Sequence, residues 1–150
     1  MLKSSPFDLS GGQKRRVAIA GVIAMNPEIL ILDEPAAGLD PKTRNKILSS
    51  IRELRDATGM TVILVSHSME DIANNADRIM VMNKGSLVMD GSREEIFAHM
   101  DELSKIGLGI PQVSRVVNEL REKGYRLPEN IYTVSQAKRE IMKLLGKGDN

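Results

Sequence analysis

With 150 residues and 41% hydrophobic content, the chain is long enough for one buried core, since domains of this size bury roughly 70% of their unfolded surface. Its 21 basic and 20 acidic residues nearly cancel, which argues against binding to nucleic acid or to an anionic membrane. The lack of cysteine excludes disulfides and thiolate metal sites. We expect a cytoplasmic protein, because no apolar run approaches the ~18 residues of a membrane span and no signal pattern opens the chain.

The first predicted elements are a helix and a strand. Ser10 is a suitable helix N-cap, and apolar residues at helical spacing then predict a helix over about residues 11–25, which Asn26-Pro27 stops. The short apolar run Ile29 to Leu32 predicts a strand of a parallel sheet that is buried on both faces. Asp33 and Glu34 follow at its carboxyl end, where open α/β sheets bind their ligands.

A second helix and a second strand come next. Asp40-Pro41 predicts a helix start, and Gly59 predicts its end. The run Thr61 to Ser66 predicts another buried strand. A right-handed crossover between the two strands puts His67 at the same sheet edge as the two acidic residues. We therefore predict one site at this edge.

The last third of the chain has a different pattern. Apolar runs on either side of residues 83–86 predict a β-hairpin around a Gly-containing turn, which we expect to close the sheet. Capping boxes at Ser92–Glu95 and Thr133–Gln136, together with Pro111, predict three helices. His99 is expected within the helix that follows Ser92, partly exposed and without a functional role.

The predicted fold class is thus α/β. Residues 1–92 are expected to form a parallel sheet with its helices and a β-hairpin, and residues 93–150 a helical carboxyl-terminal extension. We place the boundary between them near Gly91.

The residues at the sheet edge suit phosphoryl transfer. A carboxylate such as Asp33, at the end of a rigid strand, suits Mg²⁺, held directly or through water. Glu34 suits the general base that polarises an attacking water. His67 suits a hydrogen bond to the transferring γ-phosphate, although a lone His at a strand end is more often a solvent-facing polar residue.

A second candidate site lies at the start of the first helix. Ser10, Gly11 and Gly12 place a hydroxyl and backbone N–H groups at a helix N-terminus, where the dipole and unpaired donors attract an anion. The alternative is a plain glycine turn that caps a helix. Taken alone, residues 9–13 leave both interpretations open. For Asp40, the sequence by itself indicates a helix cap.

One expected motif is missing from the 150 residues. No G-x-x-x-x-G-K-[ST] phosphate loop occurs, and only eight residues precede Leu9. The fragment Gly146-Lys147-Gly148 lacks the Ser or Thr and a preceding strand, so we reject it as a phosphate loop. The 150 residues therefore contain only part of the set of motifs that binds and transfers a phosphate group.

In this order the motifs resemble the signature, Walker B strand, D-loop and switch His of ATP-binding cassette (ABC) ATPases. Residues 1–92 are similar to the second half of their nucleotide-binding domain, which implies a P-loop NTPase-like fold. The runs Lys14–Gly21 and Pro35–Pro41 resemble more narrowly the ATPase subunits of energy-coupling-factor importers, which take up vitamins or transition-metal ions. The helical extension suits that group as well.

The resemblance implies ATP and Mg²⁺ as cofactors, with roles for particular residues. Glu34 and His67 are implied as catalytic and Asp33 as the metal ligand, for the nucleotide held by their own subunit. The remaining implied residues reach the partner's nucleotide or the dimer interface: Ser10, Gly11, Gly12, Gln13 and Asp40. The implied partners are a second ATPase subunit, identical or different, and transmembrane subunits, with the chain on the cytoplasmic side of the membrane.

Three functions stay open at this stage. The favoured one is a piece of an importer ATPase subunit. The second is a non-catalytic module that completes a partner ATPase by supplying its signature. The third, an ABC ATPase of DNA repair or translation, is disfavoured by the near-neutral charge. If a missing half normally covers the sheet, apolar surface stays open, and we expect a dimer or a rearranged edge.

Overall fold

The computed structural model describes residues 5–146. A short 3₁₀ helix, Pro6–Asp8, precedes seven α-helices and four strands in the described part of the chain: α1 Gly11–Ile23, β1 Ile29–Asp33, α2 Pro41–Thr58, β2 Thr61–Val65, α3 Met69–Asn75, β3 Arg78–Asn83, β4 Ser86–Ser92, α4 Arg93–Ala98, α5 Met100–Lys105, α6 Gln112–Glu122 and α7 Val134–Leu144. The chain divides into two compact units, one ending at Ser66 and one beginning at His67. The boundary near Gly91 stays a prediction.

The first unit is built on the predicted parallel strand pair. β1 and β2 run in register from Ile29 opposite Thr61 to Asp33 opposite Val65. α2 connects them, and Gly59 ends it in the left-handed conformation (φ 71°) that glycine adopts without steric cost. One face of the strand pair forms the core of this unit, where the following residues are buried: Leu30, Leu32, Ile47, Ile51 and Met60.

The expectation that both faces of β1 are buried is wrong for the described residues. Successive side chains of a strand point to opposite faces, and the core lies on one of them. On the other face Ile29, Ile31, Ile63 and Val65 are 57%, 65%, 45% and 50% exposed. We call these four side chains the open face. Such an open face is what we expected for the case in which a missing half normally covers the sheet.

Helix α1 ends at Ile23, slightly before the predicted limit near residue 25. Asn26 has a left-handed backbone (φ 49°), and the following Pro27 disfavours a helical residue before it. Ile19 and Ile23 pack against the core of the first unit. No residue of α1 is fully buried, so the helix lies on the surface of that core.

The second unit contains the predicted β-hairpin. β3 and β4 pair antiparallel from Arg78 opposite Ser92 to Asn83 opposite Ser86. Lys84 and Gly85 have φ of 48° and 79°, as the favoured two-residue hairpin turn requires. The expectation that this hairpin closes the parallel sheet is wrong for residues 5–146, since β3 and β4 form a separate two-stranded sheet. The tight turn lets the two strands form backbone hydrogen bonds with each other.

Both predicted capping boxes are confirmed. The Ser92 hydroxyl accepts from the Glu95 N–H while the Glu95 carboxylate accepts from the Ser92 N–H, and Thr133 and Gln136 do the same at α7. α6 and α7 share a small core made of Val117, Leu127, Ile131 and Ala137. Local sequence therefore sets where these helices begin.

His99 was expected within the helix that follows Ser92, but it lies between α4 and α5. It is the C-cap of α4 and the N-cap of α5, with non-helical backbone angles (φ −100°, ψ 39°). Its side chain is 58% exposed, and Nδ1 lies 2.9 Å from the Glu102 carboxylate. This backbone break divides the predicted single helix into two short ones.

Among residues 5–146, no helix is both long enough and apolar enough to span a bilayer.

Candidate functional site

The N-terminus of α1 is held by a reciprocal capping box. The Ser10 hydroxyl accepts from the Gln13 N–H at 3.3 Å, and the Gln13 side-chain oxygen accepts from the Ser10 N–H at 2.8 Å. Gly11 and Gly12 lie in the first turn, where helix geometry provides no intrahelical acceptor for their N–H groups. These two donors and the positive end of the helix dipole suit a phosphate.

The two glycines have different surroundings. A Cβ atom on Gly11 would have no heavy atom within 4 Å, so this side of the helix start is open to a ligand. A Cβ atom on Gly12 would lie 3.3 Å from Leu39 Cδ2 and 3.7 Å from Thr43 Cγ2. Gly12 is therefore the point where α1 touches the segment that leads into α2.

Asp33 is the last residue of β1, and its side chain is exposed. The residues 5–146 contain no group of three or more His, Cys, Asp or Glu arranged to hold a metal ion. Mg²⁺ does not need such a group, because it keeps several waters and takes one or two protein carboxylates plus phosphate oxygens. A single strand-end carboxylate thus fits Mg²⁺ bound together with a nucleotide.

Glu34 has a left-handed backbone, with φ of 45°, which costs of order 1–3 kcal/mol for a residue with a side chain. Its N–H donates to the Val65 carbonyl at 2.9 Å, and its carbonyl accepts from the Ala37 N–H at 3.2 Å. The Ser66 hydroxyl donates to its carboxylate at 3.5 Å. Surrounding hydrogen bonds therefore hold a conformation that Glu34 would not favour by itself.

Arg15 is a site residue that the sequence analysis missed. Its Nη1 donates to the Ala37 carbonyl at 3.0 Å, and its Nη2 donates to the Glu34 carbonyl. Arg15 follows Gly12 by three positions, so both residues lie on the same side of α1. The sequence gives that spacing, whereas the contact of this helix side with the Asp33–Asp40 segment comes from the structure.

Asp40 and His67 are placed in different units. Asp40 caps α2, and hydrogen bonds from Thr43 hold the pKa of its carboxyl below the usual 3.8. His67 follows β2 and opens the second unit with an exposed side chain. Its predicted place beside Glu34 stays a prediction.

Of the rejected fragment Gly146-Lys147-Gly148, the last two residues lie outside the described range.

The ABC transporter family model matches residues 1–37. The chain is 60% identical, over 94% of its length, to the energy-coupling factor transporter ATP-binding protein EcfA2 of Clostridium perfringens, and it covers 50% of that protein. The chain matches the carboxyl-terminal half of ABC transporter ATP-binding proteins. It is also 55% identical, over 96% of its length, to EcfA2 of Clostridioides difficile, and it covers 51% of that protein.

Two solved structures confirm the predicted P-loop NTPase-like α/β class. CbiO1 from Clostridium perfringens, part of the ABC transporter complex CbiONQ, matches with a TM-score of 0.59 and 36% identity over 77% of this chain and 45% of that one. An inward-facing putative metal-chelate type ABC transporter matches with a TM-score of 0.63 and 27% identity over 69% and 41%. The chain spans about half the length of the curated relatives it matches, and it corresponds to their carboxyl-terminal half.

Proposed function

We propose that this chain is the carboxyl-terminal half of an ATP-hydrolysing subunit that powers import through an energy-coupling-factor transporter. The observation that carries the proposal is the packing of the α1 N-terminus against the segment that contains Asp33, Glu34 and Asp40, through Gly12 and Arg15. The candidate phosphate-binding helix start and the strand-end pair of carboxylates then belong to one compact unit. The names of the relatives agree with this function.

Three residues carry the chemistry in this proposal. Asp33 would hold Mg²⁺ through a bound water or directly, and the bound ion would supply positive charge next to the phosphate oxygens. The Glu34 carboxylate accepts a proton from the attacking water as general base. His67 donates a hydrogen bond to the γ-phosphate. The phosphate loop that holds this nucleotide comes from outside the 150 residues.

The signature residues serve a second nucleotide, held by a partner ATPase subunit. Gly11 and Gly12 offer their N–H groups and Ser10 its hydroxyl to the γ-phosphate, while Gln13 holds the cap closed. Asp40 lies at the subunit interface. The assembly contains two ATPase subunits attached to transmembrane subunits on the cytoplasmic side of the membrane, and its cargo is a vitamin or a transition-metal ion.

The test is Glu34→Gln in the complete subunit that carries this chain. We expect ATP turnover to fall by 10²- to 10⁴-fold, the range that a general base contributes, while ATP still binds. Glu28→Gln removes an exposed carboxylate just before β1, and we expect it to keep wild-type turnover. Wild-type turnover in Glu34→Gln would contradict the general-base role.

A second candidate is the non-catalytic module that supplies only the signature. It is favoured by one observation, namely that residues of this chain between positions 10 and 43 cap and pack the α1 N-terminus. In that case the isolated chain should change the ATP turnover of a full-length relative, and Ser10→Arg should abolish the change by blocking the phosphate. Equal turnover with wild-type chain, Ser10→Arg chain and no chain would remove this candidate.

A further inference from the structure

We propose that Arg15 is a positioning residue that sets the backbone of Glu34 and couples it to the N-terminus of α1. The proposal rests on the proposed function, in which Glu34 is the general base. Arg15 lies two residues beyond Gln13, within the run Lys14–Gly21, and the family resemblance assigns it no role. Its side chain is half-buried, and the contacts that assign the role are to backbone carbonyls.

The first step of the argument is what Arg15 holds. Glu34 and Ala37 are the two ends of a turn that is closed by the hydrogen bond from the Ala37 N–H to the Glu34 carbonyl. Arg15 donates to the carbonyls at both ends at once. A planar guanidinium can satisfy two acceptors with a fixed separation, whereas a lysine ammonium acts as a single point charge. Arg15 therefore fixes the turn that follows the catalytic carboxylates.

The second step is the connection to the phosphate-binding end of α1. Gly12 contacts the side chain of Leu39, beyond the same turn. Gly12 and Arg15 are three residues apart on a rigid helix, so the helix meets the segment Glu34–Leu39 at two points. A shift of the α1 N-terminus on engaging a phosphate moves the Arg15 guanidinium with it. Phosphate engagement at Gly11 and the backbone of Glu34 are thus mechanically linked.

The experiment uses Arg15→Met and Arg15→Lys in the complete subunit. We expect Arg15→Met to lower kcat by about 10- to 100-fold, as for a catalytic group displaced by about 1 Å, while the KM for ATP changes less than about 3-fold. Arg15→Lys should recover part of the loss, because it retains one of the two contacts. The matched control is Lys14→Met, an exposed cation one position earlier, for which we expect wild-type kcat.

A double-mutant cycle with Glu34→Gln, read from single-turnover rates, decides whether Arg15 acts through Glu34. If it does, Arg15→Met lowers the residual rate of Glu34→Gln less than about 2-fold, because the group it positions is already gone. The same factor in both backgrounds, or wild-type kcat in Arg15→Met, overturns the proposal. If Arg15→Met does not fold, the same cycle with Arg15→Lys gives the answer. A fully active Glu34→Gln single variant instead indicates failure of the proposed function.

Discussion

At the scale of single residues, hydrogen bonds rather than burial hold the backbone of Glu34, the candidate catalytic residue. Glu34 is only half-buried and has a positive φ, yet its N–H and carbonyl are both bonded. The Arg15 contact adds a charged donor, and hydrogen bonds to charged groups are roughly twice as strong as neutral ones. The direction of this side chain therefore depends on a neighbouring helix.

Asp40 allows a prediction about pH at the same scale. Its folded-state pKa is lowered by the hydrogen bonds from Thr43, so it stabilises the fold above its unfolded pKa, near the usual 3.8. This contribution is lost as the pH falls through the still lower folded pKa. We expect the free energy of unfolding of the wild-type chain to fall with decreasing pH below about 4, partly through Asp40.

The variant Asp40→Asn tests this. Asn caps helices about as well as Asp but does not titrate, so the stability of Asp40→Asn should depend less steeply on pH below 4. The measurement is urea unfolding between pH 2.5 and 6, with Asp101→Asn, an exposed carboxylate in α5, treated in the same way. An unchanged pH slope in Asp40→Asn would show that the Thr43 contacts do not favour the ionised form.

At the scale of elements, one buried hydroxyl connects α6 to the segment before α7. Ser114 is buried in α6, and its hydroxyl donates to the Ile131 carbonyl at 2.8 Å. The small core of Val117, Leu127, Ile131 and Ala137 lies beside it. Because a buried carbonyl without a donor is costly, this bond contributes to how the two helices pack.

Ser114→Ala should lower the free energy of unfolding by about 1–3 kcal/mol, the cost of leaving a buried acceptor unsatisfied. Urea unfolding monitored by circular dichroism measures the change. Ser135→Ala, at an exposed position in α7, serves as the control, and we expect a change within about 0.5 kcal/mol. A Ser114→Ala chain as stable as wild type would mean that water or another group replaces the hydroxyl.

At the scale of the whole molecule, the open face has the largest consequence. Its four apolar side chains come from two adjacent parallel strands, and such strands are normally covered on both sides. The relatives are about twice as long as this chain. In the complete subunit we expect the additional half to cover the open face.

The isolated chain should therefore self-associate. Sedimentation velocity over a range of concentrations should reveal a dimer or a larger species, and Ile31→Thr combined with Ile63→Thr should weaken the association, since Thr keeps strand propensity while removing apolar surface. Val17→Thr with Val22→Thr removes exposed apolar surface from α1 instead and should have less effect. A wild-type chain that stays monomeric at high concentration would contradict this expectation.

Local signals made most of the elements predictable. The predicted N-cap at Ser10 and the predicted capping boxes at Ser92 and Thr133 act over three residues, and each marks a helix start in the structure. The parallel pairing of β1 with β2 was predicted from two apolar runs joined by a helix. The identity of the motif residues likewise needed no structure, because motifs are runs of neighbouring residues.

The sequence by itself thus determined most of the element types and their ends, because these depend on residues close along the chain, and its motifs gave the family resemblance. It did not predict α3 or the division between α4 and α5. Only the tertiary structure decided which strand face is open, that the hairpin forms its own sheet, and that Arg15 contacts Glu34 and Ala37. Those contacts join residues 19 and 22 positions apart. No periodicity or capping rule reaches so far, since such contacts depend on how helices and strands pack in space.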